Sequence, residues 1–426
     1  MKTILIFLLT LYSAVVFAQW NAEPITASSL TKENEAVYKA GKADSAWKIQ
    51  SVGADILLFS VFFTDEDTGY TVGGNTTDFT GIIMKTTDGG TTWNPLDIPE
   101  TSYLSSVFFT CADTGFVAGY MGTILKTTNG GLSWTKSESY SDNHLRSVFF
   151  SDSQTGYIVA DYGSFLKTTD GGITWTVGSI GINAYDIHFY GVYFTDVNTG
   201  YAAGGNGTVR KTTDGGISWT NLSAGTDQFL YSVWFTNDSI GFIAGSFGLI
   251  KKTMDGGLTW NTVISDPCIY LRSFFFTDAG TGYVVGDNGI IRKTIDGGSV
   301  WYNLPVVTGN HLNSIFFPSE NIGYAVGEGG TILKTTSAST GFDELSDGPS
   351  ELKLYPNPSS GLLTIEAPVL TEAGKLSIMN LNGQPVVNLT LTGSKAAIDL
   401  SSLPDGIYIV RFTTENSIES RMFVKQ

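Results

Sequence analysis

Basic residues, cysteine, histidine and long apolar runs are all scarce in this chain. Its 426 residues hold 24 Lys and Arg against 40 Asp and Glu, a formal charge of -16. That balance repels phosphate backbones and anionic lipid, so neither nucleic acid nor a membrane surface is an expected partner. The two cysteines, Cys111 and Cys268, stand at unrelated positions without a Cys-x-x-Cys spacing or an adjacent base. They read as small semi-buried hydrophobes, neither disulfide nor redox pair. Beyond the first residues, no stretch approaches the roughly 18 apolar residues of a membrane-spanning helix. No cofactor or metal is called for.

The N-terminus carries Lys2, an apolar stretch from Ile4 to Val16 and the small-residue ending Val16-Phe17-Ala18. Residues 1–18 are therefore expected to be a secretory signal peptide, followed by a lead segment over 19–40. The mature chain is expected outside the inner membrane.

Tryptophan recurs at Trp93, Trp134, Trp175, Trp219, Trp260 and Trp301, spaced by 41 residues except for one interval of 44. A fixed period of this length signals a repeat architecture. Each Trp closes a motif such as Lys85-Thr86-Thr87-Asp88-Gly89-Gly90-Thr91-Thr92-Trp93. The side chains of Asp88, Asn129, Asp170, Asp214, Asp255 and Asp296 are expected to accept backbone N–H groups two residues on, while the paired glycines allow positive φ. Asn129 keeps the acceptor without the charge, an exchange that suits a structural turn and not a catalytic carboxylate. The motif resembles the Asp-box (BNR repeat) of bacterial sialidases and other propellers.

Three strand-like runs precede each box, as in Ser60 to Phe63, Gly69 to Gly73 and Gly81 to Lys85. First strands begin at Ser60, Ser106, Ser147, Gly191, Ser232, Ser273 and Ser314, seven in all, against six Asp-boxes. The last unit lacks its outer strand, and Trp47-Lys48-Ile49-Gln50 is a spare strand near the start. The expected fold is all-β: a seven-bladed β-propeller over 41–337, closed by that N-terminal strand so that no sheet edge stays free. With its Gly-Tyr-x-x-Gly and Lys-Thr-Thr-Asp-Gly-Gly segments, the region also resembles the propeller of the photosystem II assembly and stability factors.

Residues 338–350, rich in Ser, Gly and Asp, read as a linker. Over 351–426 short runs alternate apolar and polar residues, with Asn382-Gly383 as a hairpin signal, and a small Ig-like β-sandwich is expected. Leu354-Tyr355-Pro356-Asn357-Pro358, Leu376 to Gly383, Leu403-Pro404-Asp405-Gly406-Ile407-Tyr408 and the ending Phe423-Val424-Lys425-Gln426 resemble the type A sorting domain of the type IX secretion system of Bacteroidetes. The resemblance implies export across the outer membrane, engagement of that secretion machinery, and release or attachment at the cell surface.

The candidate ligand face lies opposite the Asp-boxes. Just before the inner strands stand Leu57, Tyr103, His144, His188, Phe229, Tyr270 and His311, so all three histidines share one repeat position. Two residues later come Phe59, Ser105, Arg146, Tyr190, Tyr231, Arg272 and Asn313. The turns between second and third strands add Tyr120, Tyr162 and Phe247. Aromatic, His and Arg side chains dominate binding hot spots. The histidines sit in blades too far apart to share one zinc ion. Sialidase chemistry would need three arginines where this face has Arg146 and Arg272, and a xyloglucanase-like reaction would need two carboxylates flanking a sugar bond. Asp161 and Asp287 read as ordinary turn variation. The expected function is extracellular binding or scaffolding of a protein or glycan, with a glycoside hydrolase as the alternative.

Overall fold

The computed structural model describes residues 47–99, 101–180, 187–266 and 268–336, and in the C-terminal part 352–356, 359–366, 374–380, 385–391, 393, 395–404, 406–413 and 418–425. The expected signal peptide, lead segment and linker lie outside the described residues, as do Asn357-Pro358, Asn382-Gly383, Asp405 and Gln426. The chain divides into two units, Met1–Ser339 and Thr340–Gln426.

In the first unit, β1 is Trp47–Ser51, and β2 (Ile56–Phe63), β3 (Gly69–Asn75), β4 (Gly81–Thr86) and β5 (Asn94–Pro95) form one antiparallel sheet in sequence order. The second strand is buried on both faces along nearly its whole length. Gly69 opens it because the Phe63 ring lies over its backbone, and an added Cβ would come within 2.4 Å of that ring. Seven four-stranded antiparallel sheets of this kind are present among the described residues of the unit. Six are built from consecutive strands. The seventh takes Leu312–Phe316, Gly323–Gly327 and Thr331–Thr335 and borrows β1 as its outer strand, with Trp47 opposite Thr335 and Ser51 opposite Thr331.

The core sits between blades. Tyr70, Val72 and Ile83 of the first blade pack against Leu104, Val107 and Phe109 of the second, and equivalent clusters fill the other junctions. The borrowed strand joins this system through Trp47, which is 4% exposed and meets the edge of Phe317 at 6.0 Å.

Polar ties repeat around the circle. In the first five blades the repeat lysine reaches the Asp-box of the following blade, as Lys85 does to the Gly130 carbonyl at 2.7 Å and Lys126 to that of Gly171 at 2.6 Å. Lys334 of the last blade reaches Gly89 of the first. Serines near the inner-strand starts accept from the next blade, as in Val107 N–H to Ser60 Oγ at 3.2 Å and Val61 N–H to Ser314 Oγ at 3.3 Å. One aromatic residue per blade lines the axis: Phe62, Phe108, Phe149, Tyr193, Trp234, Phe275 and Phe316 touch in that order, with ring centroids 5.1 to 5.5 Å apart, and Phe316 meets Phe62 at 4.7 Å.

Cys111 and Cys268 are exposed free thiols rather than semi-buried ones. Each lies in a connection between strands, where no neighbouring blade covers it. No helix among the described residues is long and apolar enough to cross a membrane.

In the second unit, Lys353–Tyr355, Leu362–Glu366 and Lys395–Asp399 form one sheet, and Pro385–Leu391, Gly374–Asn380, Gly406–Thr413 and Ile418–Lys425 another. Leu363 and Ile365 of the first and Leu376, Ile378, Val410 and Phe412 of the second share one buried cluster, so the two sheets pack face to face.

Candidate functional site

Backbone hydrogen bonds sort the connections onto two faces. In the second to fifth blades the turn between second and third strands donates to the segment entering the next blade: Gly122 to Asn143, Gly163 to Ile187, Gly207 to Gln228 and Gly248 to Ile269, at 2.6 to 2.9 Å. On the other face each Asp-box glycine donates to the turn between first and second strands of its own blade, as Gly89 does to Asp67.

The Asp-boxes are structural turns. Asp88 accepts the Thr92 N–H at 2.9 Å, four residues on rather than two, together with the Thr92 and Thr86 hydroxyls. These bonds pull its pKa down to about 2, and Asp170, Asp214 and Asp255 are bound alike. Asn129 keeps the bond from Ser133 N–H at 3.0 Å, and Asp296 accepts the N–H groups of Ser299 and Val300. Behind the turns, Trp93, Trp134, Trp175, Trp219, Trp260 and Trp301 meet Phe rings edge to face.

On the opposite face, Asp161 and Asp287 prove central. Arg146 donates from Nε and Nη2 to the two Asp161 oxygens at 2.7 and 3.0 Å, and His188 of the next blade places Nδ1 3.0 Å from the same carboxylate. Arg272 donates from Nε and Nη2 to Asp287 at 3.0 and 2.7 Å, and His311 of the next blade places Nδ1 3.1 Å away. Burial alone would raise the Asp161 pKa, but the Arg146 bonds and charge, with His188, hold it below the ordinary range. Neither carboxylate is ordinary turn variation: both are buried, at 8% and 9% exposure, and each neutralises an arginine.

The aromatic residues form two contacting arcs. Phe59 and Phe79 flank Tyr103 at 6.1 and 5.9 Å, Tyr103 meets Tyr120 at 5.8 Å, and Tyr120 stacks on His144 at 3.6 Å. Ser105 shares a hydrogen bond with His144 Nε2. Burial, reinforced by the Arg146 charge, lowers the His144 pKa to about 3, so the ring is neutral. In the second arc the Arg146 guanidinium lies 5.3 Å from the Tyr190 ring. Tyr190 meets Phe229 and Tyr231, Tyr231 meets Tyr270, and Tyr270 meets Phe247, at 5.2 to 6.3 Å. Tyr162 leans on His188 at 5.0 Å. Thus His144 belongs to one arc, while His188 and His311 serve separate aspartates. Among the described residues no three His, Cys, Asp or Glu converge on a metal position.

The turn tips add residues whose chemistry was not apparent from type alone. Met121, Tyr162 and Phe247 adopt positive φ of 52, 57 and 56° where Asn206, Asn288 and Gly329 stand in other blades. All three are exposed, at 71%, 51% and 44%. Phe79, in the longer loop of the first blade, has φ 63° and is 64% exposed.

The repeats match the family described as photosynthesis system II assembly factor YCF48 over residues 39–145, 138–226, 180–269 and 217–301. Residues 353–426 match the secretion system C-terminal sorting domain. Similar solved structures include YCF48 bound to D1 peptide, 20% identical, with a TM-score of 0.58 over 68% of this chain and 95% of that one. YCF48 from Cyanidioschyzon merolae is 20% identical, with a TM-score of 0.57 over 68% and 98%. The WD40 β-propeller domain of Doa1 is 11% identical, with a TM-score of 0.56 over 68% and 96%. No curated protein matches the chain in sequence.

Proposed function

The chain belongs to the photosynthesis system II assembly factor YCF48 family, and from that membership we propose a recognition protein that holds a protein or glycan on the face opposite its Asp-boxes. Its sorting domain marks it as a secreted or cell-surface protein. Passage through the type IX secretion machinery by way of residues 351–426 is part of the proposal.

The carrying observation is the conformation of the turn tips. A left-handed backbone costs a bulky residue roughly 1–2 kcal/mol, and a side chain left in water recovers none of that by burial. Met121, Tyr162 and Phe247 accept both where asparagine or glycine serves other blades. Strain retained at an exposed apolar tip points to contact with a ligand. One structural neighbour is described as bound to a D1 peptide, which favours a polypeptide within the protein-or-glycan class. Against hydrolysis, Asp161 and Asp287 are each engaged by an arginine, and the lowered pKa of Asp161 removes the proton a general acid must supply.

Glycan and peptide arrays probed with the full chain test the reading. Capture without chemical change is expected, and Tyr162→Asn and Phe247→Asn should weaken it while leaving thermal stability unchanged or raised. Liberated reducing ends, or capture indifferent to both substitutions, would overturn it.

A further inference from the structure

Charge on this face is distributed one way. The seven turns between second and third strands and the seven connections entering inner strands contain no lysine or arginine in the sequence. They do contain Asp55, Asp78, Asp142, Asp227 and Glu328. Asp55, Asp142 and Asp227 are exposed and form no ion pair among the described residues; Glu328 lies 4.0 Å from His311 Nε2. Arg146 and Arg272 on the face are neutralised by buried aspartates, and Arg292, reaching up from its third strand, pairs with Asp266. The repeat lysines are spent at the Asp-boxes on the far side. Lys251 is buried against the Ala224 and Gly225 carbonyls, so among the described residues of these turns and connections no exposed cation stands ready to attract a carboxylate or phosphate.

The aromatic arcs match this sign. An aromatic face attracts a guanidinium or ammonium group, and Arg146 over Tyr190 already makes that contact within the protein. Tyr162, Phe229, Phe247 and Tyr270 are 40 to 51% exposed, and no cation of the described residues covers their rings. Resting on the rim as the binding face, we propose that it receives a basic polypeptide segment, in which lysine or arginine residues alternate with apolar ones. Apolar side chains would meet Met121 and Phe79, while cationic ones would lie over the rings and beside Asp142, Asp227 and Glu328. These acids belong to blades spread around the circle, farther apart than a small cation reaches, and an extended chain spans them.

The test uses the full chain and short blocked peptides that share their Trp and Leu positions and carry Lys, Ser or Glu at the rest, with a cello-oligosaccharide alongside. The Lys peptide should bind at least about tenfold more tightly than the Ser peptide, weakening as salt rises, and the Glu peptide should not bind. Asp142→Asn, Asp227→Asn and Glu328→Gln combined should weaken the Lys peptide at least about fivefold. Asp113→Asn with Asp238→Asn, on the Asp-box side, should not, which separates rim binding from general attraction to an acidic protein. Equal or tighter binding of the Ser peptide, Glu peptide or oligosaccharide, or an unaffected triple variant, would overturn the basic-segment proposal. If such binding is still lost in Tyr162→Asn, the rim reading survives alone; if no probe binds, or Tyr162→Asn changes nothing, both fail.

Discussion

Arg146 and Asp161 show how a residue's role depends on its partner. The arginine lies on a face rich in hot-spot side chains, yet its Nε–Nη2 edge is committed to a carboxylate 8% exposed. Alanine at this position would therefore report stability before it reported binding. Arg146→Met should cost about 2–3 kcal/mol, less than a fully buried pair because the guanidinium is partly solvated. Adding Asp161→Leu should recover much of that loss. Urea denaturation of both single variants and the double would measure the coupling. His144 gives a second test. Its folded pKa of about 3 lies below the ordinary histidine value of 6.5, so the unfolded chain takes up the proton first. Its contribution to stability is complete above pH 6.5 and is lost as pH falls from there toward 3. His144→Phe should flatten the stability profile across that window, as read from denaturation at pH 7 and pH 5.

The elements were readable where the repeat imposes one answer on every blade. The Val-Phe-Phe inner strands, the Gly-Tyr second strands and the Asp-box turns each recur, and burial between neighbouring blades selects the same residue types each time. The spare strand at Trp47 was equally legible because one unit lacked a partner for its third strand. Trp47→Ala should remove its packing against Phe317 and cost about 3–5 kcal/mol, measured as a lowered thermal midpoint with the remaining blades' sheet signal retained below it. The Arg-Asp-His clusters were not recognised, because Asp161 and Asp287 vary across the repeats when each position is compared alone. The legible signal was a pairing: only the two blades with Arg at the inner-strand position carry Asp 15 residues on, and each is followed by a blade whose entry residue is His. The strained tips were legible only by comparing blades, because Asn206, Asn288 and Gly329 at the equivalent position mark a left-handed turn that Met121, Tyr162 and Phe247 share.

At the scale of the molecule, the ties between blades are cyclic, and the last of each set bridges the start and end of the ring. Lys334 to Gly89, Val61 to Ser314 and Phe316 to Phe62 join residues more than 230 positions apart. Such contacts form only after nearly the whole unit has been synthesised, which makes its folding slow for its stability. The register of the closing pair carries a mechanical consequence. Trp47 faces Thr335, and Ser51 faces Thr331, so the two ends of the propeller chain leave from the same end of one antiparallel ladder. Tension applied to both ends loads the hydrogen bonds one after another, as in unzipping, rather than all together, as in shear. A molecule bound together against heat should therefore open at low force, and optical-tweezer pulling on residues flanking the ring should find the first rupture at this seam.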